Sequence, residues 1–302
     1  MFALRSMAGA LRSFWSGGQP IERVGYTVGA LLIVSGSIHL AILIVTGGSW
    51  EGPLSLRKPA TFGLSFGLTL ITVTWVAAFL RLGDRARTIL LATFAAACAL
   101  ETALVSIQAW RGVPSHFNME TTFDAFVART LAGGGLALVA VIVVLTLAAF
   151  RPNRAVPISL RIAIQLGFVM LIGAAAVGAV MIAKGMVLVF GGHAQAAYAT
   201  GGTLKPTHAV AMHGILVLPA LAWVVSFADW SERRRLGVVF LAAAGYIALA
   251  GAVATANVAG LGLRQGPVGL VALLGALSVL AGCVAALRAV ARAPAFHGVQ
   301  RG

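Results

Sequence analysis

The stretch Val24-Gly-Tyr-Thr-Val-Gly-Ala-Leu-Leu-Ile-Val-Ser-Gly-Ser-Ile-His39-Leu-Ala-Ile-Leu-Ile-Val-Thr46 holds no Asp, Glu, Lys or Arg, and its reading decides the fold. As an α-helix rising roughly 1.5 Å per residue, it crosses the roughly 30 Å hydrocarbon layer of a bilayer. The apolar side chains run on without the in–out alternation of an outer-membrane strand, which excludes a barrel. In lipid every backbone N–H and C=O must be satisfied within the segment, so the run is a helix.

Seven further runs of this kind follow: Pro59–Leu80, Arg87–Trp110, Phe123–Phe150, Ile158–Ala183, Pro206–Phe227, Leu236–Val258 and Val268–Val290. The chain is therefore expected to be an all-α, polytopic integral membrane bundle of about eight transmembrane helices. Composition agrees. Sixty per cent of residues are apolar and 10% charged, and the mean hydropathy is +0.96, whereas charged residues make up about a quarter of a soluble domain. The long fourth run should tilt, and the fifth could run on to Phe190, though Lys184-Gly185 suggests a break. Residues 1–20, with Arg5 and Arg12, read as a basic amphipathic segment on the inner surface. Residues 21–292 form the transmembrane domain, and 293–302 a short cytoplasmic tail.

The net charge of +14 suggests nucleic acid until the arginines are placed. They fall in short clusters between apolar runs: Arg81, Arg85 and Arg87; Arg151, Arg154 and Arg161; Arg233, Arg234 and Arg235. That is the signature of cytoplasmic loops, not of a nucleic-acid surface, and it puts both termini in the cytoplasm. The outer connections carry fewer cations (Arg57, Lys58, Arg111, Lys184, Lys205, Arg264) but add Trp50, His116, Asn118 and His193. Specific chemistry is expected on that side. Two cysteines, Cys98 and Cys283, both in spans, provide no disulfide framework or metal pair. Small residues four apart, Gly25/Gly29 and Gly63/Gly67, suit close helix packing. The histidines of the first half have no counterparts in the second, so no internal repeat is read, which counts against an inverted-repeat transporter.

Depth along each helix groups the polar side chains. His39, His213 and Arg129 come to roughly 10 Å below the outer surface and Glu101 to roughly 14 Å. Ionisable groups at such depth mark functional sites by default. His208 and Gln108 sit above them, and His116, Asn118 and His193 higher still. Each has a plain alternative. His39 could be a packed ring bonded to a carbonyl, Glu101 and Arg129 a structural ion pair, and Ser115–Asn118 a turn ahead of the capping pattern Thr121-Thr-Phe-Asp124. His208 and His213, five apart, point about 140° away from each other on a regular helix and should not chelate one ion. A single HxxxxH on the outer side also fails to match the several cytoplasmic histidine boxes of membrane desaturases.

Gln108-Ala-Trp-Arg111-Gly-Val-Pro-Ser115-His116-Phe-Asn118, with Lys58-Pro59 before it and His208-xxxx-His213 after it, resembles a family of uncharacterised bacterial multi-span membrane proteins. The resemblance extends over most of spans one to six. It implies that these positions share one site, and it implies no activity; the expected location is the plasma membrane of a bacterium.

Three functions compete. The first is a haem or redox protein, a membrane oxidoreductase, with His39 and His213 as axial ligands of haem b and Lys58 and Arg111 near its propionates. Glu101 and Arg129 would handle protons, and a quinone or another membrane redox protein would be the partner. The second is a transporter or binding protein for a small anionic or proton-coupled ligand. The third is a metal-dependent enzyme acting on lipids, with His39, His213, His208 and His116 as candidate ligands of a transition metal.

Overall fold

The computed structural model describes residues 2–198, 202, 204–262 and 266–292, with the side chains of 2–5 left aside. Arg264, Arg301 and the predicted tail 293–302 lie outside the described residues, as does the side chain of Arg5. The described chain is helical throughout: α1 Phe2–Ser16, α2 Pro20–Val45, α3 Arg57–Ala77, α4 Asp84–Trp110, α5 Thr122–Ala149, α6 Ile158–Phe190, the single turn α7 Ala194–Ala197, α8 Lys205–Val225, α9 Glu232–Ala259 and α10 Gly266–Arg292. Eight of these helices are long and apolar enough to cross a membrane, in agreement with the eight runs of the sequence. The expected break in the fifth does not occur. α6 continues through Lys184-Gly185 to Phe190, because Gly185 is a packing position against the ring of Phe117.

Local chemistry sets the helix ends. α2 opens on a capping box, with the Gln19 backbone N–H donating to Glu22 Oε2 at 3.1 Å. Thr121 caps α5, its Oγ accepting from the Asp124 N–H at 3.1 Å. Side-chain acceptors here take up N–H groups that the first helical turn leaves without partners. At the inner end of α2 the fully buried Glu22 meets Arg87 of α4 at 3.1 Å. Arg87 also donates to the carbonyls of Ala77 and Leu80, tying three helices at one point.

The α2–α3 seam is a glycine contact. A Cβ on Gly36 would lie 2.6 Å from Leu64 N and 2.8 Å from Ala60 O, and one on Gly67 would lie 2.6 Å from Gly29 O. The backbones approach as closely as small-residue packing in membranes allows.

Contrary to the reading from sequence, the chain is built from two copies of one four-helix unit. α2–α3–α4–α5 is repeated by α6–α8–α9–α10. Trp75-Val76-x-x-Phe79 at the end of α3 matches Trp223-Val224-x-x-Phe227 at the end of α8. In both copies the next turn has the same hydrogen bonds. Ala78, Phe79 and Leu80 donate to Trp75, Val76 and Ala77, while Ser226, Phe227 and Ala228 donate to Trp223, Val224 and Val225. Arg87 Nη2 then donates to the Leu80 carbonyl at 3.2 Å, and Arg235 Nη2 to the Ala228 carbonyl at 2.9 Å. The buried faces keep the same register. Leu91, Phe94, Cys98 and Val105 of α4 correspond to Val239, Ala242, Tyr246 and Val253 of α9, and Gly134, Val141, Leu145 and Ala149 of α5 to Gly275, Gly282, Ala286 and Val290 of α10.

Four crossings per unit leave both copies with the same orientation, a parallel rather than an inverted repeat. The copies meet where α3 touches α8, with the rings of Trp75 and Trp223 edge to face at 5.9 Å. The amphipathic α1 packs at this inner end. Its Phe14 lies against Trp75 and Phe79, and Ala10 is fully buried.

Candidate functional site

The polar residues assembled by depth do not converge on a single point. His39 is buried on α2, where both ring nitrogens are engaged. Nδ1 bonds the Ser35 carbonyl at 2.8 Å, and Nε2 accepts from the Trp110 indole N–H at 3.0 Å. No lone pair is left for iron or another metal. His213 on α8 bonds its own Ala209 carbonyl through Nδ1 at 2.6 Å. α2 packs against α3 and α4, whereas α8 packs against α6, α9, α10 and α3, which places α3 between the two histidines. The pairing of His39 with His213 around one haem gains no support from this arrangement, in which Trp110 engages His39 Nε2. His208 bonds the Ala174 carbonyl of α6 at 2.8 Å, so the two α8 histidines serve different neighbours, as their five-residue spacing requires. Among the described residues no three His, Cys, Asp or Glu side chains come together as a metal site, and the proposed set His39, His213, His208 and His116 is dispersed.

Two predicted cations are also placed elsewhere. Arg129 is exposed on the outside of α5 and makes no ion pair with Glu101. Arg111 is committed to Asp124 at 2.5 Å, to the side-chain oxygen of Gln108, and to the face of Phe123 at 4.7 Å. Gln108 in turn donates to Asp124 at 2.8 Å. These three polar residues lock the outer end of α4 to the start of α5, with Arg111 Nη1 engaged by both partners and its side chain 38% exposed.

What remains at the outer end is a smaller, coherent cluster. Glu101 of α4 is 4% exposed, and its Oε1 has no hydrogen-bond partner. The carboxylate is accommodated by Gly134 of α5, where a Cβ would sit 2.5 Å from Oε1. Lys58, on the first turn of α3, is half-buried and forms no ion pair or side-chain hydrogen bond among the described residues. Its ammonium is close enough to act electrostatically on Glu101, His116, Arg57 and Lys205.

Above it the connection from α4 to α5 folds inward. His116 lies against the Phe62 ring at 5.8 Å and shares a hydrogen bond with Ser115 Oγ at 3.0 Å. Burial first, and the Lys58 charge second, hold this ring well below the usual histidine range, so it is neutral. Asn118 is fully buried. Its Oδ1 accepts from the Glu120 N–H at 3.0 Å, and its Nδ2 donor has no partner. Between them Phe117 has φ +66°, the one positive value among described non-glycine residues. For a bulky residue that conformation is costly and persists only where the surroundings enforce it. Here the ring is seated on Gly185 of α6.

Comparison with protein-family models, with curated proteins and with solved structures finds no match. The site is therefore argued from its own atoms. Sequence reasoning picked out Lys58, Glu101 and His116. It missed the cradle at Gly134, although three consecutive glycines, Gly133-Gly134-Gly135, inside an otherwise bulky apolar run are a legible sign of close approach.

Proposed function

We propose that this multi-pass membrane protein binds a small anionic ligand from the outer side, at Lys58, and carries or senses it with Glu101 as the proton-exchanging group. The observation behind this reading is that two incompletely satisfied polar groups, the half-buried Lys58 and the buried Glu101, lie within electrostatic reach of each other. One is an ammonium with no counter-ion in contact, and the other, beneath it, is a carboxylate oxygen with no donor. Buried polar groups are normally paired, and charged groups within a membrane normally pair with each other or line a pathway. Arg57 and Lys205 add positive charge at the starts of α3 and α8, where the helix dipoles also favour an anion. The unpaired Asn118 Nδ2 supplies a neutral donor on the same loop. Charge orientation places this mouth outside the cell, and the resemblance in the Gln108–Asn118 stretch supports a bacterial plasma membrane.

The haem reading loses support with its donor pair, and absorption spectra of protein expressed with haem supplied should show no stoichiometric Soret band. The direct test uses purified protein in detergent, with thermal shift and calorimetry against small carboxylates and phosphate. At least one anion should bind. Lys58→Gln should weaken it by roughly tenfold, equivalent to about 1.4 kcal/mol. Glu101→Gln should retain binding but abolish the proton uptake or release that accompanies it. Equal binding by Lys58→Gln and unsubstituted protein would reject the assignment.

A further inference from the structure

We infer a second, separate binding site on the cytoplasmic face, built to take the phosphate headgroup of an anionic phospholipid. Between the turn before α9 and the inner end of α10 lies an open cavity of about 510 Å³, lined by Trp230, Arg234, Arg288, Arg292 and the exposed Asp229. The Arg234 guanidinium lies over the Trp230 ring at 4.3 Å. Arg288 and Arg292 are one helical turn apart on the same face of α10, the spacing at which side chains are neighbours. Neither makes an ion pair among the described residues. Three guanidinium groups face one exposed carboxylate, and residues 293–302 hold no Asp or Glu to balance them.

The internal repeat provides a comparison. The equivalent place in the first unit lies between the turn before α4 and the inner end of α5, where Arg81, Ala148 and Arg151 occupy the positions of Asp229, Ala289 and Arg292. There the space shrinks to about 10 Å³, because the link from α5 to α6 lies across it. Arg81 Nη1 donates to the Pro152 carbonyl at 3.2 Å, and Asn153 Nδ2 donates to the Phe79 carbonyl at 2.9 Å. The first unit fills the position with its own backbone acceptors. In the second unit the described residues at this place are Arg234, Arg288 and Arg292 with Asp229, and the segment after Arg292 lies outside the described residues. A guanidinium cluster at the inner membrane boundary selects phosphate oxygens, which it can grip in pairs, and the inner leaflet presents them on anionic lipids.

Native mass spectrometry of the full chain in detergent, with phosphatidylglycerol or phosphatidylcholine added, tests this. One phosphatidylglycerol should be retained in preference to phosphatidylcholine. The double change Arg288→Gln/Arg292→Gln should weaken that retention by roughly thirtyfold, the product of two cations near the surface. A charge-matched change on exposed arginines away from the cavity, Arg85→Gln/Arg233→Gln, should leave it intact. Arg288→Gln alone gives the same direction at smaller amplitude if the double variant does not fold. Equal retention of both lipids, or equal loss in the charge-matched control, would overturn the site. Complete displacement of the lipid by inorganic phosphate would overturn the lipid assignment in favour of a soluble phosphate.

Discussion

The two four-helix units share a backbone and differ in chemistry. α4 and α9 bury the same register, yet where α4 places Glu101 and Gln108, α9 places Leu249 and Ala256. Glu22, the buried acid of α2, corresponds to Leu160 in α6. On the outer side the first unit has the folded-in Ser115–Asn118 loop, and its second-unit counterpart is the short connection after Ala259. On the inner side the first unit is closed by its own linker, whereas the described residues of the second place Arg234, Arg288 and Arg292 around a cavity. The comparison teaches that glycine contacts, the Trp-Val-x-x-Phe turn and the arginine that caps it define the scaffold. The site groups are additions to one copy, and the resemblance between copies says nothing about their activity.

The largest expected effect breaks the first unit alone. Removing Arg87 takes the cation from the buried Glu22, which still accepts from the Gln19 N–H, and costs about 3–5 kcal/mol. Arg235 makes the equivalent backbone bond, but its acid, Glu232, is one-third exposed at 3.6 Å, so Arg235→Ala should cost at most about 1 kcal/mol. Unfolding of both variants in mixed detergent measures the difference, and equal losses would show that the capping bond, not the ion pair, dominates. Next in size is the seam. Gly36→Ala places a methyl group against the backbone of α3 and should destabilise by about 1–3 kcal/mol. The second unit already has Ala174 at the matching place, and Gly237→Ala, with open space around it, should be neutral or slightly stabilising. Smaller again is Trp110→Phe, which removes the indole donor to His39 and should cost about 1 kcal/mol. A loss several times larger would mean that His39 has a further role.

The smallest effect is a pH dependence. His116 is held neutral in the fold, whereas an unfolded histidine takes up a proton near pH 6.5. The unfolded chain binds the extra proton, so this contribution is fully present above about pH 6.5 and declines as the pH falls below it. Comparison with His116→Gln isolates it, and a parallel decline in both proteins would assign the effect to other groups.

The polar layer was partly legible in the chain. Glu101 and Lys58 were identified because charge within an apolar run is costly, and that cost is a property of the residue. Arg129 was grouped with Glu101 by depth, yet one faces out of the bundle and the other into it. The histidines carry no trace of the repeat, because they differ between the two units. Its marks are Trp75/Trp223, Phe79/Phe227 and Arg87/Arg235, at a turn that positive-inside charge seemed to explain completely.

Sequence alone determined that this protein is built on eight long apolar helices and how far along each helix every polar residue lies. Backbone hydrogen bonding imposes a fixed rise, so position along the chain translates directly into depth. Tertiary structure decided which helix stands beside which, and therefore that α3 separates His39 from His213, that Trp110 occupies the histidine a haem would need, and that Glu101 rests on a glycine. Neighbour order and rotation about the helix axis come from packing between residues far apart in sequence, and a depth scale carries no information about either.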